Sequence, residues 1–354
     1  MLRGRQPRLA WLALGLIILL ALCLRLYRLD GQSLWADEGN SAALAARSLT
    51  TITRGAARDI HPPLYYYILH FWVRILGRSE IALRSLSALT GTALVFVTYL
   101  LGGELFKRRV AFIACFLAAI SPFHIYYSQE TRMYILAALW SALAILFFLR
   151  LMKSRLAVGF GSQMPARLAV GRARWMLYAS LYVVFTTAAL HTHYFTFALP
   201  LVTNLAYGLG LIGYPSLRRS KAVGSWVAAQ LVIVALYYPW LRFAGGQLAT
   251  WPAVSQPFSF SFLVRDLLRV FSLGLSVEAE TRAVVVAFAL LLLLGALPCQ
   301  LGSVRKRISS LCVLLARQEL HSLALCLIYL CLPVVAMCLL SLSRPAYDPK
   351  FLLL

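Results

Sequence analysis

Long apolar runs, most of them closed by a short cluster of basic residues, recur from one end of the chain to the other. The first extends from about Leu9 to Leu26, behind Arg3, Arg5 and Arg8. A helix that crosses ~30 Å of hydrocarbon needs about 20 such residues, so the chain has room for about nine spans. Hydrophobic residues make up 61% of the 354 and charged residues 13%. An average soluble protein is about 45–50% apolar and 25% charged, so an ordinary soluble enzyme is excluded, as is disorder. The expected fold is an all-α polytopic membrane protein, with residues 1–354 forming a single integral membrane domain. The first run is longer than the apolar core of a signal peptide and lacks a small-residue cleavage site, so it reads as an uncleaved anchor. The seven cysteines show no C-x-x-C and read as small buried hydrophobes.

Further spans are expected at Ile81–Phe106, Val110–Tyr126, Met133–Met152, Trp175–Leu190, Tyr194–Tyr214, Gly224–Phe243, Ala283–Leu301 and His321–Leu342. Two long polar stretches interrupt them, at residues 29–80 and 244–282. The first holds a helix-like piece, Glu38–Leu49, and an aromatic-rich segment, Leu64–Leu76. At 1.5 Å per residue the latter is too short to cross and reads as an interfacial or re-entrant helix, its tyrosines suited to the membrane boundary. The closing Phe351-Leu-Leu-Leu354 reads like the start of another span, so the C-terminus is expected to be truncated.

Charge orients the spans. With the N-terminus in the cytoplasm, the clusters Lys107–Arg109, Arg150–Arg174, Arg218–Lys221 and Arg305–Arg317 all fall on the cytoplasmic side, as the positive-inside rule requires. That accounts for much of the net charge of +22, and no nucleic-acid partner is needed to explain it. Ten of the 12 acidic residues, all but Glu104 and Glu319, fall on the outer side or at its boundary. Acidic residues contribute little to orientation, and near hydrocarbon they are costly, so these are functional candidates.

Asp37 and Glu38 follow the first span. Asp37 can open a helix as its cap, with Glu38 at the positive end, or the pair can act as a base and its neighbour. His61-Pro62-Pro63 is a rigid turn that can hold His61 against an anion. Glu130, Arg132 and Tyr134 lie in a short loop between spans; Glu130 and Arg132 can form a weak surface pair, or Arg132 can grip a phosphate. His191 and His193, two residues apart, are weak metal candidates because a helix sends them to different sides. Arg344 and Lys350 can add positive charge to a phosphate site. All these candidates fall on the outer side, which suggests chemistry on a lipid-linked phosphate donor.

The order of these motifs resembles glycosyltransferase family 39, whose members include protein O-mannosyltransferases and lipid A aminoarabinose transferases. Asp37-Glu38 follows the first span, His61-Pro62-Pro63-Leu64 comes next, Glu130-x-Arg132-x-Tyr134 lies between the third and fourth, and His193-Tyr194 lies near the sixth. The resemblance is strongest over residues 28–150. It implies a C-type glycosyltransferase-like bundle in the cytoplasmic membrane. The enzyme would move a hexosyl or pentosyl group from a polyprenyl-phosphate donor to a lipid, polysaccharide or protein acceptor outside the cytoplasm. Asp37 would be the base, Glu38 its support, and Arg132, with His61, Arg344 and Lys350, the donor-phosphate contacts. His61 stands where the aminoarabinose transferases carry Lys, and Ile60 where they carry Glu, so their metal site does not carry over. The chemistry requires no cofactor, and a divalent ion is compatible with it. The competing expectation is a transporter or flippase of lipid-linked saccharides, which would also need an internal cationic site.

Overall fold

In the computed structural model of the chain, residues 5–343 are described apart from 60, 159–164, 219, 250–265, 271–273, 275–285, 287–289 and 291–309. Every regular element among the described residues is helical. Six helices are long and apolar enough to cross a bilayer, or seven if one bent pair counts as a span. The first helix, α1 (Arg5–Leu26), shows why water is the wrong solvent. Leu9, Trp11, Leu12, Leu16 and Leu19 are each more than half exposed, while Leu14 and Ala21 are buried. An exposed apolar stripe of that size belongs against lipid tails, and the chain is a multi-pass membrane protein.

Against α1 stand α5 (Glu80–Leu105), α6 (Arg108–Ile120) and α7 (Pro122–Ser128). Helices α5 and α6 approach closely at Gly102, where a Cβ would lie 2.7 Å from the Ala111 Cα. The third expected span, Val110–Tyr126, is not one helix: α6 and α7 meet at a 57° bend. Proline explains the break. Pro122 has no N–H for the Ala118 carbonyl, and its ring would clash with that carbonyl in a continuous helix. Ser121 caps the new helix through its Oγ, 3.5 Å from the His124 N–H. The freed carbonyls of Ala118 and Ala119 are taken up by the fully buried Arg25, which donates to each at 3.1 Å and to the Ser128 Oγ at 3.2 Å. Gly91 of α5 leaves the space, because a Cβ there would overlap the Ser128 hydroxyl and come within 3.0 Å of the Arg25 Nε.

Next come α8 (Tyr134–Val158), α9 (Pro165–Leu190), a 3₁₀ turn (Tyr194–Phe197), α10 (Ala198–Gly213), a second 3₁₀ turn (Pro215–Arg218), α11 (Ser220–Ala249) and α12 (Ser310–Ser343). The expected fifth span, Trp175–Leu190, is the C-terminal part of α9, a helix that begins with Arg167, Arg172 and Arg174 and is not among the six apolar enough to cross. The expected eighth, Ala283–Leu301, lies almost entirely outside the described residues, as does most of the stretch at 244–282. At one end of the bundle Glu104 pairs with Arg150 at 2.9 Å and with Lys153 at 2.8 Å.

The polar stretch at 29–80 folds over the other end as α2 (Ala36–Ala45), α3 (Leu49–Ala57) and α4 (Leu64–Leu76). The bounds of α4 are those expected, and two of its three tyrosines are buried inside the protein. Tyr65 and Tyr66 are buried with Leu69 and Val73, whereas Phe71, Ile75 and Leu76 are exposed. The 3.6-residue period puts Phe71 and Ile75 on the side opposite the buried set, and Leu76 is exposed as the last residue of the helix. The buried face packs with Leu83 and Leu86 of α5, with Met133, and with Ile135 of α8 in one apolar cluster.

Arg25→Ala is expected to leave the Ala118 and Ala119 carbonyls without their donor. A buried acceptor stripped of a charged partner costs about 1–3 kcal/mol. Thermal unfolding of the purified protein in detergent should show a clear drop in Tm, with Arg25→Lys losing less.

Candidate active site

The site is built at the end of the bundle covered by α2, α3 and α4. Helix α2 starts after Trp35, not at Asp37, so Asp37 is its second residue and Glu38 its third. The expected capping role of Asp37 is therefore taken over by its neighbour, whose Oε2 accepts from the Trp35 N–H at 3.4 Å. This leaves the Asp37 carboxylate outside the cap.

Glu38 points inward and is 1% exposed. Arg84, one turn into α5, grips it with both arms: Nε donates to Oε1 at 2.9 Å and Nη2 to Oε2 at 2.6 Å. Arg84 also donates to the carbonyls of Leu29 and Gln32, at 2.6 and 2.7 Å, and so closes the turn that leads into α2. From the third direction the Thr131 N–H donates to the Glu38 Oε1 at 2.8 Å. Burial pushes the Glu38 carboxyl up, but the hydrogen bond and charge of Arg84, with the N–H groups of Thr131 and Trp35, outweigh it and hold the group below the ordinary carboxylate range.

The two adjacent carboxylates thus have different surroundings. Glu38 is sealed, while the Asp37 side chain is 37% exposed and faces Arg132, whose Nη2 lies 3.5 Å from its Oδ2. Arg132 is not a surface cation. It is buried, donates through Nη1 to the Asp37 carbonyl at 3.3 Å and the Ser41 Oγ at 3.2 Å, and lies 5.6 Å from the centroid of the Tyr134 ring. Its Nη2 also lies 3.0 Å from the His61 Nε2. A guanidinium only donates, so His61 accepts there and carries its own proton on Nδ1. The Arg132 Nε is buried and has no hydrogen-bond partner among the described residues.

Aromatic rings wall the cluster. The His61 and His193 rings are 5.3 Å apart, and His193 is 5.6 Å from Tyr134, which is 5.4 Å from Tyr127. His193 caps the 3₁₀ turn, its Nδ1 accepting from the Phe195 N–H at 3.2 Å. His191 is turned away: its Nδ1 meets the Thr187 carbonyl at 2.9 Å and its ring lies against Tyr237. Its backbone carbonyl still accepts from the Leu64 N–H at 3.0 Å, which ties the Pro-Pro turn to the end of α9. Among the described residues no group of three or more His, Cys, Asp or Glu side chains is placed to hold a metal ion. Glu130 is buried beside Thr131. Arg344 and Lys350 lie outside the described residues.

Asp37, Glu38, His61, Arg132, Tyr134 and His193 therefore come together. Sequence reading missed Arg84, Ser41 and the Thr131 N–H. Arg84 carried a signal: a charge one turn inside an otherwise apolar run is costly and calls for a partner. A backbone N–H carries none.

Residues 60–215 match the family described as Dolichyl-phosphate-mannose-protein mannosyltransferase. No curated protein matches the chain by sequence. Among solved structures, the apo oligosaccharyltransferase of Archaeoglobus fulgidus is similar at a TM-score of 0.56 and 16% identity, over 97% of this chain and 49% of that one. Apo ArnT from Cupriavidus metallidurans is similar at 0.55 and 16%, over 98% of this chain and 57% of that one. AglB from Archaeoglobus fulgidus, in complex with an inhibitory peptide and a dolichol-phosphate, is similar at 0.52 and 16%, over 98% and 46%. The chain spans about half the length of the solved structures it matches. The fold is that of the C-type glycosyltransferases, and the resemblance to glycosyltransferase family 39 read from the motif order agrees with the family match.

Breaking the Glu38–Arg84 pair from one side is expected to cost about 3–5 kcal/mol, because the other charge stays buried. Arg84→Ala should lower the Tm more than Glu38→Gln, which keeps the shape and loses the charge. The Glu38 carboxyl is held below its ordinary value, 4.5, so its contribution is complete above that pH and is lost as pH falls through the lower folded-state value. The Tm gap between wild type and Glu38→Gln should therefore close on acidification below 4.5.

Proposed function

We propose that this chain is a membrane glycosyltransferase that moves a sugar from a polyprenyl-phosphate donor to an acceptor hydroxyl on the extracytoplasmic side of the cytoplasmic membrane. The observation that carries the reading is the pairing of an accessible Asp37 carboxylate with a buried Arg132 guanidinium that retains a spare donor. The family match and the fold support it, as does the opposite placement of the Glu104–Arg150–Lys153 cluster, which the charge rule assigns to the cytoplasm.

In this reaction Asp37 accepts the proton of the acceptor hydroxyl as its oxygen attacks C1 of the sugar. The bond from C1 to the phosphate oxygen breaks, and polyprenyl phosphate leaves with the electron pair. Arg132 stabilises the charge that grows on the phosphate, in a site walled by Tyr134, His61 and His193 where such a charge is worth more than in water. Attack opposite the leaving group inverts the anomeric centre. Glu38 takes no proton; it positions Asp37 through the backbone of α2. His61 orients Arg132. Glu130 shares the short loop with Arg132, and Arg344 and Lys350 are further phosphate contacts.

The test is release of label from a panel of labelled polyprenyl-phosphate sugars in membranes holding wild type or Asp37→Asn. Loss of the base should cut turnover by roughly 10²–10⁴-fold. Arg132→Lys, which keeps the charge but not the planar fork, should lower kcat more than it raises KM for the donor. Equal release from wild type and Asp37→Asn would sink the assignment of the base.

A further inference from the structure

The C-terminal end of α2 borders a second cavity. Glu38, Ser41 and Ala45 face the bundle, while Leu44 and Arg47 line a cleft of about 460 Å³ between α2 and α3, closed by Thr51, Arg54, Gly55 and Arg58. We propose that this cleft is a second phosphate-binding site, separate from the Arg132 cluster, that takes a phosphate ester.

Three observations carry it. The charge is concentrated and uncompensated within the cleft: Arg47, Arg54 and Arg58 all line it, and no carboxylate does. Asp59, the acid next in sequence, accepts from the Tyr66 hydroxyl at 3.3 Å. Arg54 and Arg58 at the end of α3 and Arg47 just past α2 are each favourable at a helix C-terminus, so it is the crowding of three of them into one cleft that points to an anion. Orientation gives no reason for that crowding, because this end of the molecule is the one opposite the basic cluster around Glu104. The walls are also firmly set. Ile52 and Ala56 of α3 are fully buried, and a Cβ at Gly55 would come within 2.8 Å of the Leu44 Cδ1, so α3 lies tight against α2. Ser48 caps α3 and its hydroxyl meets that of Thr51 at 2.9 Å, which steadies the rim. Three guanidiniums lining one cleft supply the donors that a phosphate takes best, since each can make charge-assisted bonds to its oxygens. Leu44 at the cleft lies two turns along α2 from Asp37, about 10 Å at 1.5 Å per residue, so a phosphate in the cleft is not the one held by Arg132.

The chemistry is shared by a phospholipid headgroup and a soluble phosphate ester, and two arms separate them. In the first, glycerol 3-phosphate is titrated calorimetrically into the full chain in phosphatidylcholine nanodiscs. In the second, retention of phosphatidic acid over phosphatidylcholine by the detergent-purified chain is read by native mass spectrometry. Wild type should bind in at least one arm. Arg54→Gln with Arg58→Gln should weaken that binding about tenfold or more, since at least one charge-assisted contact is lost. Single Arg47→Gln should weaken it less, and Arg132→Gln should leave it in place. All three cleft arginines are exposed, so an unchanged Tm is expected and checks folding. Binding in neither arm, or equal binding by wild type and the double variant, overturns the proposal. Loss of binding in Arg132→Gln alone assigns the phosphate to the Arg132 cluster and overturns it as well.

Discussion

The carboxylate of Glu38 joins three parts of the chain that are distant in sequence. Arg84 reaches it from the first turn of α5, the Thr131 N–H from the loop before α8, and Trp35 from the turn before α2. A buried carboxylate tolerates only this kind of saturation, because each unmet lone pair is expensive where water is absent. The geometry of everything nearby follows. Asp37 precedes Glu38 on α2, and Arg132 follows Thr131 in the loop. Their facing placement at 3.5 Å is set by these bonds together with those of Arg132 to the Asp37 carbonyl and the Ser41 hydroxyl.

A similar exchange steadies the far side of the same end. Pro122 interrupts the helix that begins at Arg108, and the interruption strands carbonyls in an apolar region. Arg25 supplies the missing donors from the end of α1. In return Gln129, just beyond α7, donates to the Arg25 and Tyr27 carbonyls at 3.3 and 2.8 Å, satisfying the C-terminus of α1. Each helix end thus completes its neighbour, and the loop that carries Glu130 and Arg132 emerges from a fixed base.

Two kinds of arginine stand at this end. Arg25, Arg84 and Arg132 are buried and almost wholly occupied by carbonyls, a carboxylate and a histidine. Arg47, Arg54 and Arg58 are exposed along one cleft. The first kind orders the protein. The second stands open at the ends of α2 and α3.

By itself the sequence determined the solvent, the helical class and the grouping of the chemistry. Apolar runs of bilayer length admit one kind of backbone, and the charge pattern sorted Asp37, Glu38, His61, Glu130, Arg132 and His193 to one end, where all are found. The short helix Leu64–Leu76 was legible because its length and its flanking Pro and Gly are local properties. The break at Pro122 was written as a local conflict, but a run of apolar residues on both sides concealed it. Only the tertiary structure decided which carboxylate is sealed and which is open, because two adjacent acids differ solely in what other segments bring to them. It also decided that Arg84 belongs to the site, that His61 serves Arg132 as an acceptor, and that Tyr65 and Tyr66 of α4 face inward. Those outcomes depend on contacts between residues dozens of positions apart, and no local pattern encodes them.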